Sequence, residues 1–158
     1  MRLSTKGRYA VMAMVDLAQH SAGDRISLAE IAERQEISLS YLEQLFAMLR
    51  KGGLVKSVRG PGGGYLLAHD RSETRIADII LAVDEPIRAT RCAPGAPVGC
   101  RGNRTRCLTH DLWEELGNQI HLFLSSVSLA DVCDHQVLGT SGRLHCEAFR
   151  GAAATTGP

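Results

Sequence analysis

Between Ser27 and Leu67 the chain carries two helix signals only a few residues apart, followed by two short β runs around a glycine-rich turn, and few folds accommodate that order. Ser27 is a good N-cap, Glu30 three residues later completes a capping box, and Ile26 and Ile31 take the positions of a hydrophobic staple. The helix so started runs to about Gln35. A further helix follows after a short turn, and Ser38 and Ser40 are both capping types. Ser38 is the better start because it puts Ile37 and Leu42 at the staple positions, whereas Ser40 would pair Leu39 with Gln44, which cannot staple. Leu42, Leu45, Phe46 and Leu49 then form the buried stripe, and Ser40, Tyr41, Glu43, Gln44 and Ala47 form an outer face rich in hydrogen-bonding groups. Gly52 and Gly53 end the helix as left-handed caps do.

Leu54 to Val58 and Tyr65 to Leu67 read as a hairpin joined by Arg59-Gly-Pro-Gly-Gly-Gly64. Upstream, Val11, Met14, Val15 and Ala18 fall at i, i+3, i+4 and i+7 and predict a first helix from about Lys6 to Ala22, broken at Gly23 and Asp24. Three helices and a hairpin make a winged helix-turn-helix, so the fold expected is mainly α. Ile76, Ile79, Ile80 and Val83 mark a fourth helix, and a long helix is expected from near Thr109 to about Val127. Leu112, Leu116, Ile120, Phe123, Leu124 and Val127 run along it as an apolar stripe flanked by Trp113. No large domain remains in the sequence to cover that stripe, and a second copy of the chain would bury it. The expected organisation is a DNA-binding head over 1–83, an irregular loop over 84–108, a dimerisation helix and short following segment over 109–138, and a mobile tail over 139–158.

A chain of 158 residues has room for about one domain and an appended helix. Apolar content of 44% and charged content of 22% suit a globular protein. The formal net charge is only +1, but Arg2, Lys6 and Arg8 cluster at the start and Arg50, Lys51, Lys56 and Arg59 in mid-sequence, and nucleic acid meets local patches rather than the sum. No apolar run approaches the ~18 residues of a membrane span, and the first residues lack the apolar stretch of a signal peptide. A cytoplasmic location without membrane contact is therefore expected.

In a helix-turn-helix the second helix of the pair presents its N-terminal side chains to the major groove, here Ser38, Ser40, Tyr41, Glu43 and Gln44. Gln44 can bridge adenine N6 and N7; Glu43 can accept from cytosine N4 but repels phosphate, so it acts as a filter against wrong sequences. Arg59 on the narrow wing suits an electronegative minor groove, and Arg2, Lys6, Arg50, Lys51 and Lys56 supply phosphate contacts to double-stranded DNA. A solvated polar face is the blander account of the outer side chains, but the short turn, the capped preceding helix and the basic wing outweigh it. The glycine run is no phosphate-cradling loop, since Tyr65 and Leu66 follow where Lys and Ser/Thr are required.

The loop carries Cys92, Cys100, Cys107 and His110, among Pro86, Pro94, Pro97 and Arg91, Arg101, Arg104 and Arg106. Five cysteines, an odd number, in a reducing compartment point to metal or redox chemistry rather than a disulfide framework. Thiolates with an imidazole suit zinc or an iron–sulfur cluster. The wide spacing, lacking the paired knuckles of structural zinc sites, and the basic surroundings favour a cluster and leave zinc open. A lone histidine at a helix start is commonly a surface residue, but its place three after Cys107 makes His110 a candidate ligand. Cys133 and Cys146, beside His135 and His145, read as ordinary cysteines. No Ser/His/Asp arrangement, paired carboxylate motif or nucleotide loop points to an enzyme.

The segments MRLSTKGRYAVMAM, ISLSYLEQLFAMLRKGGLVKSVRGPGGGYLL, Asp84-Glu85, Ala89-Thr-Arg-Cys92 and Cys107-Leu-Thr-His110 closely resemble the iron–sulfur cluster regulators, a branch of a wider family of winged-helix repressors. The resemblance covers roughly residues 1–130. It implies a homodimeric transcription factor on a palindromic operator, with a 2Fe–2S cluster in each subunit held at Cys92, Cys100, Cys107 and His110. It also implies control, mainly repression, of cluster-assembly genes, with cluster-donating scaffold proteins as further candidate partners. The cysteine intervals are wider here than is usual in that family. A related nitric-oxide-sensing branch takes its fourth ligand from an N-terminal acidic residue, where this chain has Arg8, which cannot ligate. A nitric-oxide- or redox-responsive repressor and a zinc-stabilised regulator without redox sensing are the alternative readings.

Overall fold

The computed structural model describes residues 4–87, 89, 99, 101 and 105–137. Its elements run α1 (Thr5–His20), α2 (Leu28–Gln35), α3 (Leu39–Lys51), β1 (Val55–Val58), β2 (Gly64–Leu67), α4 (Ile76–Ala82), α5 (His110–Ser126) and α6 (Leu129–Cys133).

Local chemistry explains where the helices of the head begin and end. The Ser27 hydroxyl accepts from the Glu30 N–H while Glu30 accepts from the Ser27 N–H at 2.8 Å, the reciprocal cap expected there. Ser38 opens α3, but its hydroxyl makes no cap hydrogen bond, and the staple residues Ile37 and Leu42 are both buried. At the other end Leu54 N–H donates to Leu49 O at 3.0 Å and Gly53 N–H to Arg50 O at 3.0 Å. Those are the two bonds of a Schellman motif, with Gly53 in the left-handed region at φ 75° and Gly52 still right-handed.

α1 lies at the centre, packed against α2, α3, α4, α6 and β2. Its buried face is Ala10, Ala13, Met14 and Leu17, while Val11, Val15 and Ala18 flank the core half-buried. The expected stripe thus sits to one side of the observed one. Small alanines let several neighbours approach at once, and the most enclosed face is then set by packing rather than by the largest side chains. Leu42, Leu45, Phe46 and Leu49 of α3 are fully buried, as are Ile79 and Ile80 of α4 and Val83 just beyond it. Each such side chain contributes on the order of 1.5–3 kcal/mol of burial.

Asp16 is a buried charge in this core, 1% exposed. Arg34 grips it from α2 with Nη2–Oδ1 at 2.7 Å and Nε–Oδ2 at 3.0 Å, and Gln35 Nε2 adds a bond at 2.7 Å. Burial pushes the carboxyl up, yet the Arg34 and Gln35 hydrogen bonds and the Arg34 charge together hold it below its ordinary range. The pair fixes the angle between α1 and the first helix of the helix-turn-helix.

α6 begins with a second capping box, Ser128 with Asp131, inside the short segment expected to follow the long helix. Ser128 also bridges Arg75, with Ile76 N–H to Val127 O at 3.0 Å and Leu129 N–H to Thr74 O at 2.9 Å, so the end of α5 is stitched to the start of α4.

Candidate DNA-reading surface and metal centre

The turn between α2 and α3 is short because Glu36 adopts the left-handed conformation at φ 53° and Ile37 N–H returns to Ala32 O at 3.2 Å. That geometry leaves Ser38, Ser40, Glu43 and Gln44 exposed on α3, and Tyr41 half-buried. Tyr41 is held by Tyr9 of α1, their rings meeting edge to face at a centroid distance of 6.0 Å. Tyr9 is a positioning residue that sequence analysis did not single out; only its aromatic character at the head of α1 could have signalled it.

The wing pairs β1 with β2 antiparallel, with Lys56 opposite Leu66 and Ser57 opposite Tyr65. Tyr65 packs edge-on against Phe46 of α3 at 4.8 Å. It also exchanges backbone hydrogen bonds with Ile26 at 3.0 and 2.8 Å, which adds the segment ahead of α2 to the hairpin. Gly64 is required by that approach, because a Cβ there would lie 2.5 Å from the Ile26 carbonyl oxygen. Lys56 and Arg59 are exposed. Arg50 and Lys51 are exposed at the end of α3, and Arg50 Nη1 reaches Ser57 Oγ at 3.5 Å. Lys6 is half-buried in the first turn of α1, and Arg2 lies outside the described residues.

Of the four candidate ligands, Cys107 and His110 are described, and Cys92 and Cys100 lie outside the described residues. His110 N–H donates to Cys107 O at 3.1 Å, which closes a turn that puts the cysteine directly before α5. Cys107 is half-buried, with Sγ 3.8 Å from Thr109 Oγ1. His110 is not a surface residue: it is 5% exposed, and its Nε2 lies 3.4 Å from Glu114 Oε2 one turn on. A carboxylate on one ring nitrogen is the arrangement that orients a ligating imidazole. The chain on both sides of position 100 folds back on Thr105, where Arg101 N–H donates to Thr105 O at 3.2 Å and Gly99 lies so close to the Thr105 carbonyl that a Cβ would not fit. Those two contacts bring the neighbours of one candidate cysteine to within two residues of another. A half-buried cysteine three residues before a buried histidine supplies the thiolate and imidazole donor types that soft-metal and cluster sites use. Asp111 and Glu114 also place carboxylate oxygens within 4.8 Å of the imidazole, but Asp111 pairs with Arg106 at 3.6 Å.

α5 buries only His110 and Gly117. Along the predicted stripe Leu112 is 61% exposed, Leu116 38% and Phe123 53%, while Ile120 and Leu124 are half-buried. Val127 departs from the expectation: at 8% exposure it joins the chain's own core, because its carbonyl is drawn to the start of α4. Leu122, 60% exposed, widens the apolar face beyond the stripe read from the sequence.

An exposed polar face on the second helix of a helix-turn-helix, with a glycine-tipped basic wing anchored to that helix, defines a winged-helix DNA-binding regulator. The chain belongs to the Rrf2 family of iron-dependent transcriptional regulators, which it matches over residues 3–135. It is 58% identical over 144 residues to the HTH-type transcriptional regulator IscR of Photorhabdus laumondii, covering 90% of this chain and 86% of that one. It is 53% identical over 146 residues to the regulator of the same name from Escherichia coli, covering 92% and 88%. Among solved structures it is similar to T. potens IscR, with a TM-score of 0.68 and 41% identity over 85% of this chain and 88% of the other. It is also similar to CymR, the global cysteine regulator of B. subtilis, with a TM-score of 0.70 and 32% identity over 85% and 98%. These relatives are transcriptional regulators rather than enzymes, and this chain is a DNA-binding regulator of transcription. Among the described residues no helix is long and apolar enough to cross a membrane.

Proposed function

We propose that the protein is a homodimeric, cytoplasmic regulator that senses iron–sulfur status through a 2Fe–2S cluster and mainly represses cluster-assembly genes. Cys92, Cys100, Cys107 and His110 would hold the cluster, and cluster-donating scaffold proteins would supply it. The observation that carries this reading is the head of α5, where a half-buried Cys107 stands three residues before the buried His110 and where Gly99 and Arg101 both meet Thr105 two residues before that cysteine. When bound, the cluster supplies a labile centre whose presence reports supply. Ligation at positions 92, 100, 107 and 110 would tie the 84–108 segment to the start of α5. The uncovered face of α5, built on Leu112, Leu116, Ile120, Phe123 and Leu124, pairs with a second copy, and each head then reads one half of a palindrome about one helical turn from the other. Ser38, Ser40, Tyr41, Glu43 and Gln44 face base edges; Arg59 enters the minor groove; Arg2, Lys6, Arg50, Lys51 and Lys56 hold phosphates.

The test is an anaerobic absorbance spectrum with iron, sulfide and zinc analysis on the full chain and on Cys92→Ala, Cys100→Ala and Cys107→Ala. A brown wild type with equal iron and sulfide, bleached in all three variants, is the expected result. An unchanged spectrum in any variant overturns the ligand assignment. A colourless protein carrying zinc makes this a zinc-stabilised regulator.

A further inference from the structure

The wing tip carries one guanidinium in the reading above, that of Arg59, but the structure assigns it a second, and we propose that Arg25 is a DNA-phosphate contact acting from the connection between α1 and α2. This rests on the DNA-binding reading and extends it to a segment outside the helix-turn-helix and hairpin. Arg25 precedes Ile26, whose two backbone hydrogen bonds to Tyr65 form an isolated bridge that ties this connection to the base of the wing. The tight approach of Gly64 to the Ile26 carbonyl keeps this connection close against the hairpin. From there the Arg25 side chain runs toward the glycine turn: Nη2 lies 3.5 Å and Nε 4.0 Å from where a Cβ on Gly62 would stand. Gly62, at φ 68°, belongs to the same turn that Arg59 opens.

Exposure alone would leave Arg25 a solvated charge. Two features separate it from one. It is exposed yet makes no ion pair among the described residues, although Asp24 is its neighbour in sequence. Its neighbour Ile26 is held by two backbone hydrogen bonds to the hairpin that also bears Arg59. Two guanidiniums near one narrow turn suit a groove edge, where one can enter while the other meets the flanking backbone. The chemistry asked of the second is positive charge at a phosphate, which gives affinity and register but no sequence information.

The experiment measures affinity against salt concentration for the full-length wild type, Arg25→Ala and Arg25→Lys. One probe is duplex DNA selected from a random pool by the wild type, and the other is random duplex. The logarithmic salt dependence of Arg25→Ala should flatten by about 0.9 for each subunit bound, on both probes alike, and Arg25→Lys should restore it. An unchanged slope with a lowered melting temperature would overturn the proposal in favour of a brace for the wing. A loss confined to the selected DNA would also overturn it, by making Arg25 a reader of groove shape. A wild type that does not distinguish the two probes would instead remove the DNA-reading assignment beneath it.

Discussion

Glu85, just past α4, caps the first turn of α1 by accepting the Gly7 N–H on Oε2 at 2.6 Å, and a Cβ at position 7 would collide with that carboxylate. The same side chain accepts from the Ser4 hydroxyl at 2.7 Å and from the Ser4 N–H. An acidic group on the unsatisfied N–H groups of a helix start is stabilised by the helix dipole. Because Glu85 opens the segment that leads to the cysteines, the cap joins that segment to the N-terminal end of the central helix.

Partial burial raises the Glu85 pKa, but the Ser4 and Gly7 hydrogen bonds and nearby Lys6 hold it below its ordinary 4.5. A carboxylate with a lowered folded-state pKa stabilises the fold above its unfolded value and loses that contribution as pH falls through the folded value. Glu85→Gln should therefore cost about 1 kcal/mol in urea unfolding at pH 7, with the gap from wild type closing below about pH 4.5. Gly7→Ala should push the Glu85 carboxylate out of its cap and so cost about 1 kcal/mol at pH 7, with a gap that likewise closes below about pH 4.5.

Asp16→Asn should lower stability by about 2 kcal/mol at neutral pH, because Arg34 keeps its charge and loses a bidentate acceptor. The sign of the wild-type shift is the same as for Glu85: its benefit is present above 3.8 and lost in acid. Denaturation at pH 7 and pH 3 measures both effects. Equal stability of the variant and wild type at pH 7 would contradict the role given to the pair.

Gln44→Ala should reduce discrimination between selected and random DNA by about 1–3 kcal/mol, the worth of one bidentate base contact. Lys56→Ala should weaken binding to both alike and flatten the salt dependence. Titrations at several salt concentrations separate the two. Equal loss on both DNAs for Gln44→Ala would remove its base-reading role.

Leu116→Asp with Phe123→Asp should shift the protein toward monomer in sedimentation equilibrium while leaving helix content unchanged, since both side chains are exposed in the single chain. A doubly substituted protein that stays dimeric would place the interface elsewhere.

Much of the head was legible because its signals are local. Ser27 with Glu30, Ile37 with Leu42, and Gly53 after Lys51 each act within a few residues, and the structure uses all three. The pattern of Leu42, Leu45, Phe46 and Leu49 was read correctly for the same reason. What escaped depends on residues far apart in the chain. Glu85 meets Ser4 and Gly7 across about eighty positions, Asp16 meets Arg34 from another helix, and Tyr9 meets Tyr41; no periodicity encodes such pairs. The α1 face was misplaced because hydrophobic size was weighed over closeness of approach. The Ser128–Asp131 cap was local and readable, but its helix has only five residues and too little periodicity to stand out. At the candidate metal site, spacing suggested Cys107 and His110 as a pair, while the burial of His110 and its Glu114 partner follow from the three-dimensional arrangement.

The anchoring of Tyr65 bears on how a signal could travel. One residue is fastened to the segment before α2 through its backbone, to α3 through its ring, and to β1 through the ladder. A projection tethered from three directions has no hinge of its own. The base of the wing is thereby coupled to α3 at one point, and a displacement of that helix is passed on to the hairpin through a single aromatic ring.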